Sequence, residues 1–174
     1  MNDRMASIRA VLATTPALWR SLVETLPDSL ITRPPLEGEW SALECLHHLR
    51  VADRDYFSVR TQVFLEGGTI VAIDPGTPHT SDDATSRESI EDFERLRQEN
   101  LIVLDRLTDD DLTRTANHPE YGEVQFGELL NEWAAHDLAH TIQAERALAQ
   151  PFIAASGAWR LSFADLDVEK EPAT

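Results

Sequence analysis

Apolar residues recur every three or four positions along four long segments of this 174-residue chain, and clusters of Gly, Pro and Asp separate the segments. That period puts the apolar side chains on one face of an α-helix, and no convincing run keeps the two-residue alternation of a half-buried strand. The expected fold is therefore all-α, a four-helix bundle. The first segment runs from about Met5 to Leu26. Pro16 predicts a restart there, with Thr15 as the cap and Leu18, Leu22 and Leu26 as the apolar stripe. The second opens at Trp40-Ser41 and runs to Glu66, started by the capping box Ser41-Ala42-Leu43-Glu44 and stopped by Gly67-Gly68. A second capping box, Thr85-Ser86-Arg87-Glu88, begins the third, with Ile90, Phe93, Leu96 or Arg97, Leu101 and Leu104 on its stripe. The fourth spans Phe126 to Ala149, with Pro151 expected to halt it.

The connections predict the extra pieces around the bundle. Residues 69 to 85 form a crossover long enough for an order other than simple up-down. Thr108-Asp109-Asp110-Asp111 reads as a short capped turn, and 113 to 125 as an irregular or hairpin loop. Beyond Pro151, the residues Phe152, Trp159, Leu161 and Phe163 are expected to pack along the bundle. One domain, 1–164, and an acidic, frayed tail, 165–174, account for the whole chain.

Charge and composition narrow the partners. Fifteen Lys and Arg against 31 Asp and Glu leave a formal charge of −16. Nucleic-acid affinity rests on cations that displace phosphate counterions, so this count argues against DNA or RNA as a partner, and Arg95 and Arg97 read as a solvated helix face among acids. No run of 18 apolar residues is present to cross a membrane. The opening residues lack a small-residue cleavage site, and Cys45, the single cysteine, cannot form an internal disulfide; both point to a cytoplasmic protein.

Polar residues on the apolar stripes carry the chemistry. Positions 129, 133, 136, 140, 144 and 147 are Leu, Trp, His, His, Ala and Ala, so His136 and His140 lie on the buried face, roughly 6 Å apart along the axis. In the second helix Cys45, His48, Ala52, Tyr56, Val59 and Val63 keep the stripe, which turns His48 inward and His47 outward. Three inward histidines from two helices match the three-ligand pattern that leaves one position on a metal ion exchangeable. Neutral imidazole suits zinc, nickel, iron or copper, so the ligand set alone does not name the metal; a divalent transition metal, zinc or nickel first, is the expectation. Asp137, beside His136, is the candidate general base, with a purely structural pairing as the competing role. Gln143, three residues after His140, is the candidate outer partner of that ring. Glu44 and Cys45 are the residues that would close the fourth position, although the first has a cap to form and the second suits the core.

Trp40-Ser41-Ala42-Leu43-Glu44 leading to His48-Leu49, then His118-Pro119 with Gly122, and finally Trp133-Ala134-Ala135-His136-Asp137-Leu138-Ala139-His140 with Gln143 resemble the DinB/YfiT-like family of metal-dependent enzymes. The likeness runs from about Ala13 to Trp159. It implies a four-helix bundle with His48, His136 and His140 as metal ligands, the same three that periodicity selects. It also implies a homodimer as the assembly, and hydrolysis or transfer of a low-molecular-weight thiol to a small-molecule substrate as the reaction. The rival expectation is a non-catalytic metal-binding or stress-associated bundle. One departure stands at the start of the last helix, where Gln125-Phe126-Gly127 replaces the usual threonine cap.

Overall fold

A computed structural model describes residues 3–71 and 84–169. Helix α1 spans Asp3–Thr25 without the expected restart. Pro16 cannot donate to the carbonyl of Leu12 four residues earlier. That freed oxygen accepts instead from Arg97 Nη1 at 2.8 Å, so a side chain from another helix fills the gap and the helix continues. The buried face is Met5, Ile8, Leu12, Thr15, Pro16 and Trp19, one step round from the predicted stripe, and Leu18 is exposed.

A short helix α2 (Asp28–Ile31) leads to α3 (Ala42–Val51). The predicted box starts α3: Glu44 N donates to Ser41 Oγ, and Glu44 Oε2 accepts from Ser41 N at 2.7 Å. A π-helical turn, Ala52–Phe57, then joins α3 to α4 (Ser58–Glu66), and Gly67, at φ 86°, ends the rod. A π turn adds a residue to the helical repeat, so every later position shifts on the face. Phe57, Thr61 and Phe64 are buried where Tyr56, Val59 and Val63 were expected, and Val59 is half exposed. The outward placement of His47 is also corrected: it is 2 % exposed, because α3 is covered on two sides.

Helix α5 (Ser86–Leu104) begins at its predicted box, Glu88 N donating to Thr85 Oγ1. The loop before α6 (Phe126–Ala155) is a hairpin, β1 (Thr115–His118) antiparallel to β2 (Gly122–Gln125), with Thr115 opposite Gln125 and His118 opposite Gly122. At the start of α6, Glu128 Oε2 accepts from Gln125 N at 2.7 Å, which supplies the link a threonine cap would have made. Pro151 lies inside α6 rather than ending it.

Helix α1 packs on α5 and α6, and α3 packs on the same two. Around the bundle the order is α1, α5, α3, α6, so α1 and α3, the first two long helices of the chain, occupy opposite corners. The predicted crossover falls mostly on residues 72–83, outside the described residues. Trp19, Leu46, Phe93 and Leu148 belong to one apolar cluster, and Met5, Phe64, Phe126 and Leu130 to another. Between them, at the same level of all four helices, lies a polar layer built on Asp53, Arg97 and Asp137. Phe57 stacks on Trp133 beside it, with centroids 4.7 Å apart; such a pair adds about 0.5–1.5 kcal/mol beyond its burial.

After α6 the chain differs from expectation. Phe152, Trp159, Leu161 and Phe163 stand largely exposed, Trp159 by 75 %, because the 3-10 turn Gly157–Phe163 meets α6 on one side only. Of the tail expected to fray, residues 165–169 are described and fold back on α6. Leu166 O accepts from Arg146 Nε and Gln150 Nε2, and Val168 N donates to Gln150 Oε1. Among the described residues no helix is long and apolar enough to cross a membrane.

Candidate metal centre

The α3 capping box sets where His48 sits, one turn after Glu44, and α6 carries His136 and His140 one turn apart on the face toward α3. The three rings meet. Their centroids are 5.0 Å apart for His48 and His136, 4.4 Å for His48 and His140, and 4.5 Å for His136 and His140. One nitrogen from each lies within 4.8 Å of the others, and all three residues are half-buried. Nε2 of His48 and of His136 are 3.0 Å apart. Nitrogens sharing a tetrahedral ion at about 2.0–2.1 Å stand about 3.3 Å from each other. The His48–His136 pair is within about 0.3 Å of that spacing.

The surroundings keep lone pairs available. His140 Nδ1 lies 2.9 Å from Gln143 Oε1. A carbonyl oxygen only accepts, so Nδ1 carries the hydrogen and Nε2 is left as a ligand atom. Burial pulls His136 down to about 3, and the neighbouring His140, His48, Arg97 and Arg60 add to that. Burial lowers His140 as well, against the opposing bond to Gln143. Neutral imidazole is the state a metal requires. Nδ1 of His136 is buried with no partner among the described residues. Trp40 covers the cluster from one side, stacked on His140 at 5.6 Å and tilted on His48 at 5.0 Å, and Phe57 meets His136 edge-on at 5.3 Å. The donor set thus fits a borderline metal with three protein ligands, and no fourth His, Cys, Asp or Glu joins them among the described residues.

Neither candidate for that fourth position joins the group. Glu44 is committed to the cap, its Oε2 accepting from Ser41 N and Oγ. Burial, then the neighbouring Glu44 charge, pushes the Cys45 thiol up to about 12. Such a thiol is no ready ligand.

Asp137 is not in the cluster either, and it makes the structural pairing that the sequence offered beside the general-base role. Both of its oxygens accept from Arg97, at 2.6 Å to Nη1 and 3.1 Å to Nη2. The opposite side of the same guanidinium donates to Asp53 from Nε at 2.8 Å and Nη2 at 2.7 Å, and Trp133 Nε1 donates to Asp53 at 3.1 Å. Arg97, read from sequence as solvated, is 1 % exposed. Burial opposes its charge, but the two carboxylates outweigh that and hold its pKa above the ordinary value. Arg95, by contrast, is on the exposed face as expected. The sequence signal for this cluster was present: Arg97 occupies a stripe position four residues from Phe93 and from Leu101.

The hairpin residue His118 is far from a ligand role. Its Nδ1 accepts from the backbone of Glu120 and Tyr121, and its ring stacks on Tyr121 at 4.6 Å. Sequence reasoning missed Trp40 and Phe57 as the walls of the centre, and Arg60 as a cation whose field reaches His136.

Among solved structures, the chain is similar to YfiT from Bacillus subtilis, described as a probable metal-dependent hydrolase with an unusual four-helix bundle topology. The TM-score is 0.71 at 21% identity, over 86% of this chain and 88% of that one. It is also similar to TT2238, a four-helix bundle protein, with a TM-score of 0.56 at 16% identity, over 78% of this chain and 94% of the other. No curated protein matches it. The family model of the DinB superfamily matches residues 12–144, a stretch that includes all three histidines. The chain belongs to the DinB superfamily.

Proposed function

We propose that the protein is a metal-dependent hydrolase of small molecules, with His48, His136 and His140 as the ligands of a single divalent ion. One observation carries the reading: three imidazole nitrogens, and no carboxylate or thiol, lie within 4.8 Å of one another among the described residues. Three neutral ligands leave the ion its full charge and an exchangeable position, the arrangement of catalytic rather than structural sites. The description of YfiT as a probable metal-dependent hydrolase agrees with it. A divalent ion held there supplies Lewis acidity toward water and a substrate carbonyl. The chain's own residues do the rest. Gln143 fixes the ring of His140 through Nδ1, Trp40 and Phe57 shield the cluster from bulk water, and Arg97 holds Asp137 away from proton transfer.

The test is a set of small esters and amides assayed with the zinc- and nickel-loaded protein, beside His48→Ala and His47→Ala. Expected is hydrolysis by the wild type, with metal content lost and turnover reduced by at least about 100-fold in His48→Ala. His47→Ala should keep its metal per folded molecule even if it is less stable. Equal metal content in both variants would overturn the ligand assignment. Turnover only when a low-molecular-weight thiol and an electrophile are supplied together would replace hydrolysis by thiol transfer.

A further inference from the structure

A cavity of about 360 Å³ opens where α4, the hairpin and the first turns of α6 come together, and one of its lining residues, Glu132, lies one helical turn before His136. That is the size of a small-molecule site. Phe64, Ile70, Val124 and Leu129 form apolar walls, and Arg60 and Glu132 bring opposite charges. Burial raises the Glu132 pKa and the field of Arg60 opposes that, but no ion pair joins the two. Arg60 Nε is buried without a partner among the described residues, and no ion pair or hydrogen bond joins Arg60 to Glu132 or to the other two carboxylates of the lining, Glu120 and Glu128. Glu128 already accepts from Gln125 N. A guanidinium whose Nε is buried without a partner, beside carboxylates that it does not pair with, is positioned for an anion from outside. His118 adds a donor: its Nδ1 accepts from the backbone, which leaves Nε2 carrying the hydrogen.

We propose that this cavity binds an amino-acid-like zwitterion with an apolar side chain, its carboxylate on Arg60, its ammonium toward Glu132 and its side chain against Phe64 and Leu129. The cavity and its two unpaired charges carry the binding claim. That the bound molecule is the amino-acid product left when the histidine centre hydrolyses an amide or acyl derivative rests on the hydrolase reading, and on the adjacency of Glu132 and His136 on α6. The field of Arg60 reaches both groups.

Titration calorimetry of the full chain, metal-free and zinc-loaded, with three probes tests the proposal: L-phenylalanine, L-phenylalaninamide without the carboxylate, and N-acetyl-L-phenylalanine without the ammonium. The zwitterion should bind about tenfold more tightly than either analogue. Arg60→Met should remove its advantage over the amide alone, and Glu132→Gln its advantage over the acetylated form alone, with circular dichroism showing both variants folded. Should Arg60→Met unfold, Arg60→Lys should keep part of the preference. Equal binding of the three probes, or none with any of them, overturns the proposal. Because the metal-free protein is titrated too, a failure of the histidines to hold metal leaves this result readable, and a cavity that ignores the zwitterion leaves the metal assignment untouched.

Discussion

Two polar clusters interrupt the apolar core at nearly the same level, and they differ in whether they are complete. The Arg97 cluster closes on itself. One guanidinium donates to both oxygens of Asp53 and of Asp137 and to the carbonyl that Pro16 leaves free, while Trp133 adds a bond to Asp53. The histidine cluster, a few ångströms of helix away, is half-buried and holds three rings whose nitrogens face one another. A buried polar group whose valences are all met within the protein needs nothing more, whereas converging lone pairs want a cation. Completeness, not burial or charge, separates the structural cluster from the one able to do chemistry. Asp137 illustrates it: on sequence it belongs to the second cluster, and its hydrogen bonds place it in the first.

The contrast breaks most readily at Arg97. Replacing it by Met strands two carboxylates in the core, and removing one partner of a buried pair costs about 3–5 kcal/mol. His140→Ala, at a half-exposed position with one hydrogen bond to lose, should cost the metal-free protein only about 1 kcal/mol. Urea unfolding of both metal-free variants measures the difference. If Arg97→Met proves too unstable to study, Arg97→Lys keeps the charge but not the fork, and should fall between the two. Equal costs for the Arg97 and His140 changes would mean that the two clusters contribute to stability in the same way.

How much of this the sequence showed depends on the range of the interaction. Both capping boxes act within four residues and were legible, as was the convergence of His48, His136 and His140, since it needs only a helical period on α3 and α6. The π turn at Ala52–Phe57 was not, because it adds one residue without a marker such as Pro or Gly, and it moved Val59 outward and Phe64 inward. Pro16 misled for the opposite reason: the local rule that a proline ends a helix was overridden by a donor from α5, 81 residues further along the chain. Arg97 and Asp137 each looked exposed or catalytic alone and make sense only as a pair, which periodicity on one helix does not reveal. The exposed Trp159 shows the same limit, since the surface meant to cover it had to be guessed.

Acid should act on the open cluster in a definite direction. Folding pulls His136 from the ordinary 6.5 down to about 3, chiefly by burial. Between those values the unfolded chain holds a proton that the folded chain lacks, so stability falls as pH falls through that window and is fully present above it. One proton difference is worth up to about 1.4 kcal/mol per pH unit. Metal-free wild type should therefore lose stability more steeply from pH 6.5 downward than His136→Asn, compared by urea unfolding at several pH values. Parallel slopes would show that the folded protein protonates His136 as readily as the unfolded one does.

The smallest effect expected concerns the one hydrogen bond that the open cluster does complete. Gln143 Oε1 accepts from Nδ1 of His140, which fixes the ring and its tautomer and makes Nε2 the better donor to an ion. Gln143→Leu keeps the size and the helix propensity but gives Nδ1–H no acceptor. Loss of an outer partner of a metal ligand costs about 10- to 100-fold in affinity. Because His140 is half-exposed and water can replace the amide, the effect should sit at the lower end, about tenfold weaker zinc binding in a competition titration, with urea stability of the metal-free protein nearly unchanged. Gln143→Glu separates orientation from polarity: its carboxylate accepts the same hydrogen bond and should restore the affinity. If both substitutions leave zinc binding at the wild-type level, the glutamine is a bystander on the stripe and the open cluster is held in place by Trp40 and helix packing alone.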